Sequence, residues 1–357
     1  MKDEEQTREG RQQELPGSVS LRSEFDFIAY IRRRAAQSES SSPSVTAGIG
    51  DDAAVIPQNS GNETVITSDL LVEEIDFLRQ TTTPKLLGHK SLGVSLSDIA
   101  AMGARPRWAL TGIGVPLEIW NSSFVDEFYE GFLALADKYG VALIGGDVSR
   151  TPDKIVIDSI VVGECTSNRA VRRSSANPGD RVFVTGTLGG ASSGLRLIER
   201  GARLENIGRA DDSQLLHELL LRHLAPEPRV GWGLVLGQEQ LATAMIDLSD
   251  GLSSDLTHLC RESNVGALVY SDKIPVDPSV SELCGRRALD PLMLALHGGE
   301  DFELLFTASP SQVAKLPKKV DGVGVTEIGE IKSAQEGIRL CEGQRVWDLK
   351  PEGWRHF

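Results

Sequence analysis

The chain has 357 residues, of which 40% are hydrophobic and 25% charged, and its formal net charge at pH 7 is −14. This length suits two domains of roughly 150–200 residues each, and the acidic balance argues against a general nucleic-acid binder, which needs a basic face to neutralise phosphates. Because there is no apolar signal region at the N-terminus and no run of about 18 apolar residues, we expect a cytoplasmic protein with no membrane partner.

Strand and helix patterns alternate along the chain. Residues 1–23 are charged and rich in Gln and Glu, which predicts a mobile tail, and apolar spacing from Glu24 predicts a first amphipathic helix. We predict further helices at 84–103, 125–140 and 192–201, and strands at 53–56, 63–72, 107–116, 141–147 and 154–164. The strand 141–147 is expected to open into a turn. The alternation predicts two α/β domains, 24–164 and 165–357.

Six short segments place carboxylates beside Gly or Ser, mostly at the ends of predicted strands. They are GIGDD (48–52), TSD (67–69), SLSDIAAMG (95–103), IGGD (144–147), IDLSDGLSSD (246–255) and HGGEDFELLF (297–306). Glycine lets a backbone approach phosphate closely, and Asp supplies hard oxygen ligands for Mg²⁺. Taken alone, any one of these motifs is more often a turn or a helix cap than a metal site. Their joint occurrence is what predicts a site for Mg²⁺ and a nucleotide.

Other phosphate-binding patterns are absent from the sequence. It contains no GxxxxGK[ST] motif and no protein-kinase set of VAIK, HRD and DFG. The six histidines show no metal-ligand spacing. The segment GTLGGASSG (186–194) resembles a glycine loop for phosphate but lacks the GxGxxG spacing, so a tight strand-to-helix turn remains the alternative. The sequence therefore excludes a P-loop enzyme and a protein kinase of the usual pattern.

The motifs also resemble those of a known family. GIGDDAAVI, TSDLLVEEIDF, LGHKSLGVSLSDIAAMGARP, IGGDVSR, NPGDRVFVTGTLG, IDLSDGLSSDL, GGEDFELLF and GWRHF follow the order and approximate spacing of bacterial thiamine-monophosphate kinases, over about residues 24–357. That family belongs to the aminoimidazole-ribonucleotide-synthetase-like superfamily. The resemblance implies an α/β (α+β) fold of two domains, with the N-terminal sheets of a homodimer pairing into a barrel. It also implies ATP-dependent phosphorylation of thiamine monophosphate to thiamine diphosphate, with several Mg²⁺ ions.

The positions of these motifs indicate which residues of this chain correspond to the family's site residues. The implied magnesium set is Asp52, Thr67, Ser68, Asp69, Asp98, Asp147, Asp247 and Asp250. The implied nucleotide contacts are Gly146, Asp147, Arg173 and Ser249. The implied contacts to thiamine monophosphate are Glu300, Trp354 and Asp76, the last standing where the family commonly has His. No catalytic general base is expected, because the attacking phosphate has a second pKa of about 6 and is already ionised.

Two alternatives stay open at this stage. The first is another ATP-using member of the superfamily, such as aminoimidazole ribonucleotide synthetase, selenophosphate synthetase or the hydrogenase-maturation dehydratase. No Cys precedes Cys165 and the chain ends in WRHF rather than Cys, which counts against the last two. The second is an inactive nucleotide-binding homologue. Asp76 gives it some support, but the retained acidic motifs count against it, because clustered carboxylates without metal repel one another.

Overall fold

The computed structural model describes residues 46–58, 61–207, 213–287 and 290–354. The predicted tail and the predicted helix from Glu24 lie outside these ranges. The described strands are β1 (Ala54–Pro57), β2 (Asn62–Val72), β3 (Arg105–Val115), β4 (Ala142–Arg150), β5 (Val156–Thr166), β6 (Arg181–Thr185), β7 (Ala244–Asp247), β8 (Val265–Tyr270), β9 (Leu304–Ala308), β10 (Lys319–Val320), β11 (Val323–Ser333), β12 (Ile338–Glu342) and β13 (Arg345–Asp348). The described helices are α1 (Pro84–Ala101), α2 (Leu117–Trp120), α3 (Phe124–Tyr139), α4 (Gly190–Glu199), α5 (Ser213–Leu224), α6 (Val230–Gln238), α7 (Leu252–Ser263), α8 (Pro278–Arg287), α9 (Pro291–His297) and α10 (Pro310–Val313).

The N-terminal half forms a five-stranded sheet in the order β1-β2-β5-β3-β4. Along β2 the buried side chains of Val65, Thr67 and Leu71 alternate with the exposed side chains of Ser68 and Leu70. This period of two means that one face of the sheet is covered and the other is open. Helix α1 packs on the covered face, and α3 packs against α1.

Local signals at both ends position helix α1. The Thr83 side chain accepts a hydrogen bond from the Leu86 amide, and Pro84 occupies the first turn, where its missing N–H costs nothing. Gly103 follows the helix with a φ of +68°, a conformation that favours glycine. Nearly every side of α1 is buried. The predicted helix at 84–103 is therefore observed, and it brings Lys90 into the interior of the protein.

Strand β4 is longer than predicted. The expected turn after Asp147 does not form, and the strand continues to Arg150, paired in parallel with β3. The reason is non-local: the sequence IGGDVSR is typical of a turn, but cross-strand hydrogen bonds to β3 hold it extended. Because β4 ends the sheet, its other edge has no neighbouring strand within the described part of the chain, and most of its residues are exposed.

The C-terminal half contains an eight-stranded sheet in the order β13-β12-β8-β11-β6-β9-β7, with β10 paired to β11. Phe183 of β6 stacks on Phe306 of β9, and Trp232 of α6 packs against Phe306. The predicted two-domain α/β fold is confirmed. The boundary between 24–164 and 165–357 and the dimeric barrel stay predictions, since the barrel needs a second chain. Among the described residues, no helix is long and apolar enough to cross a bilayer.

Candidate active site

A cavity of about 800 Å³ lies where α1 meets the turns that follow β7 and α9. From α1 its wall includes Lys90, Val94 and Asp98, which recur every four residues and so lie on one stripe of the helix. The turn after β7 contributes Ser249 and Asp250. Acidic motifs that are far apart in the chain therefore meet in one cavity.

Three carboxylates converge beside this cavity, and two of them, Asp52 and Asp98, line it. Asp52 comes from the turn before β1, Asp98 from α1 and Asp247 from the end of β7, and one oxygen from each lies within 4.8 Å of the other two. Thr67 Oγ1 donates to Asp98 Oδ2, and Ser97 Oγ donates to Asp247 Oδ2 at 2.7 Å. These hydroxyl contacts orient the carboxylates. A set of converging carboxylate oxygens matches the ligands that Mg²⁺ prefers.

A fourth carboxylate, that of Asp69, belongs to the same group. Its Oδ2 is buried and has no hydrogen-bond partner among the described residues. A buried, unpartnered carboxylate oxygen is costly, and the charge of Asp69 also acts on Asp98. The donor set and this orphaned oxygen both fit a bound divalent cation.

The pKa shifts of Asp69, Asp98 and Asp247 agree with a bound cation at this position. Burial raises the pKa of Asp69 to about 6 against an opposing hydrogen bond from Ser95, and neighbouring carboxylates add to the rise. Burial and then the charge of Asp52 raise the pKa of Asp247 to about 8. Burial, with the charges of Asp69 and Asp247, raises the pKa of Asp98 well above its usual value. Several carboxylates this close cannot all be ionised without added positive charge.

The predicted ligands Thr67, Ser68 and Asp69 do not act as one group. Because side chains alternate along β2, Thr67 and Asp69 point to the covered face, whereas Ser68 points to the open face. There Ser68 Oγ donates to Asp158 Oδ1 at 2.7 Å. The structure brings Thr67 and Asp69 to the carboxylate group and places the Ser68 side chain on the other side of the sheet.

Gly146 and Asp147 lie on the exposed strand β4. Neither is among the described residues that line the cavity. Asp147 pairs in register with Gly112, which in turn pairs with Asp158. Since cross-strand partners project to the same face, Asp147 shares the open face with Ser68. Within one chain, these predicted metal and nucleotide ligands are separate from the cavity.

The turn after β7 holds Ser249 and Asp250 in the cavity wall. The Asp255 carboxylate accepts from the amides of Asp250 at 3.2 Å and Gly251 at 2.9 Å, so it fixes this turn at the start of α7. The amide of Trp354 donates to the Asp250 carbonyl at 3.1 Å, which brings the predicted substrate contact beside the same turn. Sequence reasoning missed Asp255, although it stands inside the motif IDLSDGLSSD.

Arg173, predicted to contact the nucleotide, forms a bidentate ion pair with Asp52. Its Nε and Nη2 donate to the two Asp52 oxygens at 2.8 and 2.7 Å. Burial alone would lower the pKa of Arg173, but the charge of Asp52 and these hydrogen bonds raise it. The Arg173 amide also donates to Asp51 Oδ1 at 2.9 Å. Arg173 therefore supplies positive charge to the carboxylate group, and Asp51 stabilises its backbone.

Two amides of the glycine-rich segment 186–194 already bind a carboxylate of the protein. The amides of Gly189 and Ala191 at the start of α4 donate to the carboxylate of Asp301, at 2.6 and 3.0 Å. A carboxylate of the protein itself thus occupies the position where a phosphate would bind a helix N-terminus. Of the two explanations left open by the sequence, the structure supports the tight strand-to-helix turn.

The remaining two predicted substrate contacts, Glu300 and Asp76, both line the cavity. Glu300 Oε1 lies 2.6 Å from Lys90 Nζ, and Oε2 lies 2.9 Å from His223 Nδ1. Burial would raise the pKa of Glu300, but the charges of Lys90 and then His223 outweigh it and lower that pKa to about 2. Asp76 Oδ2 accepts from the Val72 amide at 2.8 Å, so one of its oxygens stabilises a local turn. Sequence reasoning missed Lys90 and His223, although the four-residue spacing of Lys90 from Val94 and Asp98 was a usable signal.

Comparison with known proteins places both halves of the chain in one group. Residues 50–165 match the family model described as AIR synthase related protein, N-terminal domain, and residues 177–341 match the corresponding C-terminal domain. A thiamine-monophosphate kinase of Buchnera aphidicola subsp. Acyrthosiphon pisum is 38% identical over 312 residues, which is 87% of this chain and 92% of that protein. The Bacillus subtilis thiamine-monophosphate kinase is 34% identical over 337 residues, 94% of this chain and 99% of that protein.

Solved structures agree with these matches. The structure described as AaThiL complexed with AMPPCP and TMP has a TM-score of 0.81 at 31% identity, covering 95% of this chain and all 100% of its own. A thiamine-monophosphate kinase from Stenotrophomonas maltophilia has a TM-score of 0.71 at 38% identity, with coverage of 89% and 96%. The hydrogenase maturation protein HypE of E. coli has a TM-score of 0.60 at 19% identity, covering 91% and 97%, which shows the fold alone.

Proposed function

The chain belongs to the thiamine-monophosphate kinase family of the AIR-synthase-related proteins, and we propose that its carboxylate-lined cavity carries out that family's reaction. In that reaction ATP phosphorylates thiamine monophosphate to thiamine diphosphate. The observation that carries the proposal is the convergence of Asp52, Asp98 and Asp247, three residues from separate family motifs, with Asp52 and Asp98 in the wall of one cavity.

We propose that Asp52, Asp69, Asp98 and Asp247 hold Mg²⁺, with Asp250 in the adjacent cavity wall. Mg²⁺ is usually bound by one or two protein carboxylates together with substrate phosphates, so this number of carboxylates supports several ions. The chemistry that bound Mg²⁺ supplies is neutralisation of the two anionic substrates and of the charge on the transferring oxygens. Thr67 and Ser97 contribute by orienting Asp98 and Asp247.

The residues of the chain position the substrates rather than exchange protons with them. A phosphate oxygen of thiamine monophosphate attacks the γ-phosphorus of ATP, the bond from that phosphorus to the β–γ bridging oxygen breaks, and ADP leaves. The attacking phosphate, with a second pKa of about 6, is ionised near neutral pH. No residue of the cavity therefore has to act as general base. Arg173 and Ser249 are proposed to contact the nucleotide, and Glu300, Trp354 and Asp76 the thiamine part of the substrate.

We further propose that the protein is a homodimer formed through the open edge and open face of the N-terminal sheet. The exposed fractions of Ile144 and Val148 on β4 are 59% and 47%, and that of Trp108 on β3 is 41%. An exposed, apolar edge strand is normally covered by another chain or element. Such a dimer would bury Gly146 and Asp147 at the junction, which is where their predicted role in nucleotide binding would be carried out.

Replacing Ile144 with Glu is expected to separate the dimer, because a buried, unpaired carboxylate at an interface core is strongly unfavourable. Sedimentation velocity should show the wild type at dimer mass and Ile144→Glu at monomer mass at the same concentration. Met293→Glu, at another exposed apolar site, on α9, is the control and should remain dimeric. A wild type that sediments as a monomer would contradict the proposed dimer.

Product analysis tests the reaction itself. The protein is incubated with ATP, Mg²⁺ and thiamine monophosphate, and the products are separated by chromatography. The proposal predicts equimolar ADP and thiamine diphosphate. ATP consumption without thiamine diphosphate would indicate another enzyme of the superfamily, and no consumption would indicate an inactive homologue.

We also propose a cytoplasmic location. The chain's four cysteines, Cys165, Cys260, Cys284 and Cys341, are free thiols. Free thiols are typical of proteins in a reducing compartment, and ATP and Mg²⁺ are both supplied there.

A further inference from the structure

Two buried basic side chains flank Glu300, and the reaction described above assigns them no part. Lys90 comes from the cavity stripe of α1, and His223 comes from α5. The exposed fractions of the side chains are 4% for Lys90, 9% for His223 and 29% for Glu300. Glu300 is therefore the member of the group that faces the cavity, and the two basic residues lie behind it.

The contacts account for the ionisation state of Glu300. An ammonium group as buried as that of Lys90 is stable only beside an anion, and Glu300 Oε1 lies 2.6 Å from its nitrogen. Burial and the nearby charge of Lys90 lower the pKa of His223. Lys90 therefore pairs with one carboxylate oxygen of Glu300, and His223 Nδ1 lies next to the other.

The backbone holds Glu300 in place as well. Its φ is +65°, in the left-handed region that non-glycine residues seldom adopt. Its amide donates to the Ser249 carbonyl at 2.8 Å, and this bond joins the strained residue to the turn after β7. An unusual backbone conformation is retained here in a residue whose side chain faces a cavity. Such local strain often accompanies a functional contact.

A carboxylate has about four lone-pair directions. Lys90 Nζ and His223 Nδ1 each lie beside one of the two oxygens, and the remaining directions are open to a donor in the cavity. Thiamine monophosphate offers such a donor in the exocyclic amine of its aminopyrimidine. A substrate with a carbonyl oxygen at that position would place lone pairs against an anion, and its binding would be opposed.

We propose that Lys90 and His223 are positioning residues that hold the Glu300 carboxylate toward the cavity, where it selects substrates carrying an amine on the pyrimidine. This inference rests on the proposed function, because it takes thiamine monophosphate as the substrate. It adds a source of specificity that lies apart from the aspartates assigned to Mg²⁺.

The test compares two substrates, thiamine monophosphate and its analogue in which the pyrimidine amine is replaced by a carbonyl oxygen. For Lys90→Met we expect the KM for thiamine monophosphate to rise by at least about tenfold, the loss typical of a charge-assisted hydrogen bond. The preference for the amine over the carbonyl substrate should fall by a similar factor, while the KM for ATP stays within about twofold. His223→Gln should shift both quantities in the same direction by a smaller factor.

Lys85→Met is the matched control, because Lys85 lies on the same helix but is largely exposed and pairs weakly with Glu130. It should leave KM and substrate preference unchanged. Glu300→Gln, which keeps the side-chain shape, should remove the preference even if Lys90→Met fails to fold. Retention of the wild-type preference in Glu300→Gln, or in folded Lys90→Met, would overturn the inference. A wild type that forms no diphosphate from either substrate would instead overturn the proposed function.

Discussion

Asp98→Asn is expected to lower kcat by about 10²–10³-fold or more, a loss typical of removing one preorganised electrostatic partner. Asp98 lies within reach of Asp52 and Asp247, and the charges of Asp69 and Asp247 both act on it. Asparagine keeps the shape and can still accept the hydrogen bond from Thr67, but it cannot supply a charged oxygen ligand.

The same substitution should not destabilise the cation-free protein. Burial already raises the pKa of Asp98 well above its usual value, which favours the neutral form of this carboxyl more than in an exposed aspartate. Asparagine resembles that neutral form. In the wild type, Mg²⁺ at about 100 times its Kd should add about 2.7 kcal/mol to the free energy of unfolding. In Asp98→Asn we expect most of that gain to disappear.

Urea unfolding with and without Mg²⁺, together with kcat at saturating ATP and thiamine monophosphate, measures both effects. Asp137→Asn removes an exposed carboxylate on α3 and serves as the control. An Asp98→Asn variant that keeps wild-type kcat and the full Mg²⁺ stabilisation would exclude Asp98 from the metal site.

Arg173→Met is expected to lower the free energy of unfolding by about 3–5 kcal/mol, the cost of leaving a buried charge without its partner. The Asp52 side chain is fully buried, with a side-chain exposure of 0%, and both of its oxygens accept hydrogen bonds from Arg173. Methionine fills a similar volume but leaves the carboxylate uncompensated.

The double variant Asp52→Asn, Arg173→Met separates loss of the ion pair from loss of packing. If the pair is the cause, the double variant should be more stable than Arg173→Met alone, and a double-mutant cycle from urea unfolding should give a coupling energy of at least about 1 kcal/mol. Mg²⁺ should also reduce the loss in free energy of unfolding of Arg173→Met, because it replaces the missing positive charge. If Arg173→Met loses less than about 1 kcal/mol in free energy of unfolding and the cycle gives no coupling energy, Arg173 does not stabilise Asp52.

Elements whose signals are local could be predicted from the sequence. Helix α1 begins at a Thr-Pro cap and ends before Gly103, and α3 ends at Gly140 with a φ of +66°. The extension of β4 past Asp147 could not be predicted this way. Its cause is pairing with β3, a contact between distant parts of the chain, whereas the local sequence Gly-Gly-Asp is typical of a turn.

The same distinction between local and non-local signals applies to the site. The motifs identified Asp52, Asp69, Asp98 and Asp247, because a carboxylate beside small residues is a local signal that can be read from the sequence. The separation of Ser68 from Asp69 was implied by strand alternation, a signal that a motif reading overlooks. The side chains behind Glu300 could not be predicted as partners, because helix α5 meets α1 only in the folded protein.

The most direct test of the account is the position of the metal. Crystals grown with Mn²⁺ in place of Mg²⁺, a non-hydrolysable ATP analogue and thiamine monophosphate would give anomalous difference peaks at the bound ions. The account predicts at least one peak within coordination distance of Asp52, Asp98 and Asp247. Peaks found only on the open face of the N-terminal sheet, beside Ser68 and Asp147, would contradict it.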